Sequence, residues 1–89
     1  MKRAAIISAI LSNPSESQRM FNDIVSDYCE IIRGRMGIPF DKSNVALISL
    51  TVVAELDIIN AFTGKLGKIN GANVKASVAP ETIDIDLDI

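Results

Sequence analysis

Apolar positions along this chain change their spacing from stretch to stretch. Residues 4–11 are apolar on both alternating sets, with Ala4, Ile6, Ser8 and Ile10 on one face and Ala5, Ile7, Ala9 and Leu11 on the other. A short run of this kind, followed by turn residues, predicts a strand buried on both faces. Ser12-Asn13-Pro14-Ser15-Glu16 reads as a helix start. Asn13 can cap, Pro14 suits the first helical position, and Glu16 can reach back as a capping-box partner. Met20, Phe21, Ile24, Val25 and Tyr28 then recur at helical spacing, with Arg19, Asn22, Asp23, Ser26 and Asp27 opposite. The first helix is predicted from Pro14 to Cys29 or Glu30.

From Ile32 the period drops to two. Ile32, Gly34, Met36 and Ile38 alternate with Arg33, Arg35 and Gly37. This predicts a glycine-containing edge strand, with the first set on the core and both arginines on the open side of the sheet. Residues 39–44, Pro-Phe-Asp-Lys-Ser-Asn, carry turn chemistry. Residues 45–53 are again apolar on both sets, interrupted only by Ser49 and Thr51, and predict a second doubly buried strand. Glu55 and Asp57 favour a helix start, and Ile58, Ile59, Phe62, Leu66 and Ile69 follow at helical spacing. Lys65 and Lys68 lie in the last turn, and Gly71 falls just past its end. Val74, Ala76 and Val78 alternate with Lys75 and Ser77 in a half-exposed strand that Pro80 stops.

The order β-α-β-β-α-β is the split-βαβ arrangement of a ferredoxin-like α+β fold. Its antiparallel sheet has the first and third strands at the centre and both helices on one face. Residues 1–79 form one such domain, and residues 80–89 form an acidic tail able to add an extra strand. The second face of the central strands is then apolar with no cover from the chain. That predicts a homo-oligomer, a dimer or a tetramer.

Composition sharpens this expectation. Of 89 residues, 48% are hydrophobic and only 4% aromatic, and the mean hydropathy is +0.30. A domain this small hides roughly 60% of its unfolded surface, so the apolar content exceeds what one core absorbs. No run reaches the roughly 18 apolar residues of a membrane span. The apolar start leads into Asn13-Pro14 rather than a cleavage site. A single cysteine, Cys29, excludes an internal disulfide and suits a reducing compartment, so a cytoplasmic protein is expected. The net charge of −2 divides unevenly: residues 1–79 hold nine bases against seven acids, and residues 80–89 hold four acids and no base. Without a basic stripe, direct binding to DNA is not expected.

Candidate chemistry is sparse. The chain has no histidine, which excludes histidine acid–base chemistry, Ser-His triads and histidine metal sites. Cys29 reads as a buried structural thiol, and no spacing of acids predicts a paired-carboxylate site. An enzyme is not expected, nor a metal or cofactor. Gly64-Lys65-Leu66-Gly67-Lys68 lacks the spacing of a phosphate loop and reads as glycines packed closely at a helix end. The segment Arg33-Gly34-Arg35-Met36-Gly37 is the candidate ligand or interface site, because two arginines on one strand face can take an anionic ligand or a carboxylate of another subunit. The alternative is a solvated edge strand. The tail alternates Ile83, Ile85, Leu87 and Ile89 with Asp84, Asp86 and Asp88, a pattern for docking on a sheet edge.

Gly34-Arg35-Met36-Gly37-Ile38-Pro39, Ile48-Ser49-Leu50, Thr63-Gly64-Lys65-Leu66-Gly67-Lys68 and Val74-Lys75-Ala76-Ser77 together resemble the iron-only hydrogenase system regulators. That family is related in fold to ACT domains and to the C-terminal domain of the nickel-responsive repressor. The resemblance covers roughly residues 3–78 and implies an ACT-like ferredoxin fold, assembly through sheets and a regulatory role. Ala54-Glu55-Leu56-Asp57 and Ser12-Asn13-Pro14-Ser15 depart from the glycine-richer loops of these relatives. Without histidine, the repressor's nickel site does not carry over. The expected function is a non-enzymatic regulatory module that senses a small anionic ligand or binds a regulatory protein partner. The alternative is a structural assembly subunit with no small-molecule ligand.

Overall fold

In the computed structural model, which describes residues 1–81, the two apolar runs become the centre of a sheet. β1 (Lys2–Ser12) and β3 (Val45–Glu55) pair antiparallel along their full length, from Lys2 opposite Glu55 to Ser12 opposite Val45. β2 (Ile32–Phe40) flanks β3 and β4 (Ala72–Val78) flanks β1, giving the order β2-β3-β1-β4. α1 (Pro14–Asp27) connects β1 to β2, and α2 (Leu56–Gly67) connects β3 to β4. The fold is the expected ferredoxin-like α+β arrangement.

One side chain in two along β1 and β3 faces the helices. Ile7, Leu11, Leu50 and Val52 are fully buried there, beneath Phe21 of α1 and Ile59, Phe62 and Leu66 of α2. Each such aliphatic residue contributes roughly 1.5–3 kcal/mol by leaving water. Tyr28, at the end of α1, stacks on Phe62 with ring centroids 4.6 Å apart. Lys65 of α2 lies over the Tyr28 ring at 5.2 Å, so the two helices are tied by aromatic and cation–π contacts.

Local details differ from expectation in four places. Asn13 does not cap α1 with its side chain. It takes a left-handed conformation (φ 52°), as does Asn44 (φ 55°), and the Asn44 amide donates to Asn13 Oδ1 at 2.6 Å. The Asn13 N–H also donates to the Asn44 carbonyl at 3.0 Å, so the two chain reversals brace one another. α1 ends at Asp27 and is followed by a 3-10 turn over Cys29–Ile31, which leaves Cys29 exposed rather than buried. Pro39 and Phe40 belong to β2 rather than to the turn. Gly64 has open space where a side chain would project, so close packing does not explain it.

Gly71 is the glycine whose conformation the fold requires. Its φ is +87°, and a Cβ there would lie 2.9 Å from the Ser12 carbonyl oxygen. The Ser12 N–H donates to the Gly71 carbonyl at 2.8 Å, closing β1 onto the start of β4. No helix among the described residues is long and apolar enough to cross a membrane. The extra strand expected of the tail falls largely on residues 82–89, outside the described residues.

Candidate functional site

The segment Arg33-Gly34-Arg35-Met36-Gly37 is divided by a β-bulge. Ile32 pairs with Val52, yet Gly34 pairs with Thr51, so Arg33 is an extra residue with no cross-strand partner. An inserted residue turns every later side chain to the other face. Arg35 and Gly37 therefore stand opposite the buried Leu50 and Ile48, on the helix side, while Met36 and Ile38 stand opposite Ser49 and Leu47 on the open side. This reverses the expectation that the arginines face the open side and Met36 and Ile38 the core. Alternation alone cannot reveal an unpaired residue.

Arg35 lies between β2 and α1. Its Nη2 donates to Asn22 Oδ1 at 2.8 Å, and its guanidinium sits 5.8 Å from the centroid of the Phe21 ring. Gln18 donates to the same Asn22 oxygen at 3.2 Å. Beside them is a cleft of about 190 Å³ with Gly37, Pro39, Ala46 and Ile48 in its walls. The guanidinium is thus held by an aromatic face and an amide, and among the described residues it forms no ion pair with a carboxylate. Such a group can take an anion without first breaking a salt bridge. Arg33 is elsewhere, at the end of the sheet with Lys2, Glu30 and Glu55. The structure does not bring the two arginines together.

The open face carries the larger feature. Across it run registered rows: Ile38, Leu47 and Ile10; Met36, Ser49, Ser8 and Lys75; Gly34, Thr51, Ile6 and Ser77. Phe40 lies beyond the first row, opposite Val45. Ile6, Ile10, Met36, Ile38, Phe40 and Leu47 are between 39% and 64% exposed; Ile10, Leu47 and Ile38 share a row flanked by Met36 and Phe40, and Ile6 is set apart by Ser8 and Thr51. Scattered exposed apolar residues are ordinary; several gathered on one sheet face make that face a candidate contact surface. Small hydroxyls fill its centre, and Lys75 is the cation at its β4 rim. Phe40 was missed as a member because Pro39-Phe40 reads as turn chemistry. Its alternation with Met36 and Ile38 was the available signal.

Among the described residues no group of three or more His, Cys, Asp or Glu side chains could hold a metal ion. Cys29 is solvent-exposed on its 3-10 turn.

Comparison with known proteins fits this geometry. No curated protein matches the chain. Among solved structures, "The structure of uncharacterized protein TM1266 from Thermotoga maritima" is similar, with 31% identity and a TM-score of 0.86. The similarity covers 90% of this chain and all of that one. A family model described as "TM1266-like: Iron-only hydrogenase system regulator, putative" matches residues 3–76. From β1 through most of β4, the chain belongs to the TM1266-like family.

Proposed function

We propose that this protein is a non-enzymatic regulatory module of an iron-only hydrogenase system that works in the cytoplasm as a homo-oligomer. The observation that carries the reading is the apolar open face of the sheet, on which Ile10, Met36, Ile38, Phe40 and Leu47 are exposed. A second copy is the occupant that fits. The face is apolar with hydroxyls at its centre, so two copies meet like with like and without opposing charge rows. Each Leu or Ile hidden in this way contributes roughly 1.5–3 kcal/mol to association. The family description supports the regulatory part. Arg35, held in its cleft without a carboxylate partner among the described residues, favours a ligand-sensing module over a purely structural subunit.

Light scattering tests the assembly. A stable species of 9.6 kDa at micromolar concentration overturns it; a dimer or tetramer supports it. Removing the protein from a host that makes an iron-only hydrogenase should change hydrogenase output. Unchanged output overturns the regulatory assignment.

A further inference from the structure

Gly37 stands where the fold asks for no glycine. Its backbone lies outside the left-handed region, and a Cβ there would meet Ile48 Cγ1 at 3.8 Å, an ordinary contact. A glycine inside a strand weakens it and often marks a place where another molecule approaches closely. Here the missing side chain leaves open the cleft of about 190 Å³ between β2 and α1, whose apolar walls include Pro39, Ala46 and Ile48. Ala46 and Ile48 belong to the core, so the cleft reaches down to it.

Arg35 lines the same cleft, two residues before Gly37 on the same face of β2. Asn22 and the Phe21 ring hold its guanidinium. Among the described residues Arg35 makes that one hydrogen bond and no ion pair, so the rest of its planar fork is open. A guanidinium held in advance loses less freedom when a ligand arrives. The Gln18 amide donates to the same Asn22 oxygen. The two polar side chains therefore converge at one end of the cleft, and the remaining walls are apolar.

We propose that this cleft binds a short-chain aliphatic carboxylate, an inference that rests on the ligand-sensing reading above and names its ligand class. The carboxylate takes the open N–H groups of Arg35, and the hydrocarbon chain lies against Pro39, Ala46 and Ile48 in the space that Gly37 leaves. One planar cation matches the two oxygens and single charge of a carboxylate. A phosphate dianion finds no second cation in the walls. No carboxylate lines the cleft either, so the ammonium of an α-amino acid would give up water without a countercharge. The volume lies below the roughly 300–1,000 Å³ of ordinary ligand pockets, which limits the chain to a few carbons.

Butyrate titrated into the isotope-labelled full-length protein, followed by NMR, tests it. Binding should saturate with a Kd of about 1 mM or tighter, shifting the Arg35 Nε–H, the Gln18 side-chain amide and the Gly37 and Ile48 backbone signals. Arg35→Gln should weaken binding at least about tenfold. Gly37→Val, whose side chain fills the cleft and suits a strand, should do the same in a folded protein, again by at least about tenfold. Inorganic phosphate and α-aminobutyrate should bind at least about tenfold more weakly than butyrate. Absence of saturation overturns the proposal, as do shifts confined to other residues, undiminished binding by either folded variant, or a competitor that binds as tightly as butyrate. If Gly37→Val fails to fold, Arg35→Gln decides alone, because Arg35 is exposed and forms no ion pair among the described residues. Binding is read on the purified protein and regulation on hydrogenase output, so either can fail without the other.

Discussion

Gly71, just before β4, and Ser17, in α1, show how single residues set the fold. At Gly71 a positive φ coincides with a carbonyl 2.9 Å from where a Cβ would sit. Gly71→Ala should destabilise by about 1–3 kcal/mol, through left-handed strain and displacement of Ser12. A melting temperature equal to that of the parent refutes this. Ser17 offers the opposite case. It is buried in the first turns of α1, and its hydroxyl finds no hydrogen-bond partner. Ser17→Ala removes an unsatisfied polar group and adds helix propensity, so chemical denaturation should show a gain of about 1 kcal/mol. A loss of stability would show that the hydroxyl is satisfied in solution.

Among the elements, legibility followed how many faces each one buries. β1 and β3 were readable as strands from their apolar runs, since Ala5, Ile7, Ala9 and Leu11 and Ala46, Ile48, Leu50 and Val52 are buried against the helices, whereas their other face, expected to be buried too, is largely exposed in the single chain. The stripes of α1 and α2 were readable in the same way, although Met20 and Ile58 proved to be exposed. β2 was the failure. It buries little on either side, so no penalty in its residue pattern fixes its register, and the bulge at Arg33 shifts every residue after it. Gly34, directly after the bulge, was the one local hint. The candidate site inherited the error: five consecutive residues were read as one site and are spread over an open face, an α1 cleft and a sheet end. Gly64 makes a sharper point about α2. It is exposed, with nothing near its missing side chain. Gly64→Ala should therefore stabilise the helix by about 0.5–1 kcal/mol. A destabilised variant would mean that another molecule approaches α2 at that point.

At the scale of the whole molecule, the two faces of one sheet must answer differently to substitution. Ile7 is fully buried under the helices, so Ile7→Ala should cost about 2–5 kcal/mol whatever the protein concentration. Met36 and Ile38 are largely exposed in the single chain, and Met36→Glu/Ile38→Glu should change the stability of an isolated copy by no more than about 0.5 kcal/mol per site. If a second copy covers that face, the same carboxylates are carried into an apolar interface and disfavour it strongly. The double variant should then run as a 9.6 kDa species where the parent runs larger. Its melting temperature should lose the concentration dependence that an assembly imposes. Salt separates this contact from a charge-driven one, because apolar association weakens little as ionic strength rises, whereas pairs between exposed charges are screened. A double variant that keeps the parent's size, with melting still dependent on concentration, would remove the open face from the assembly.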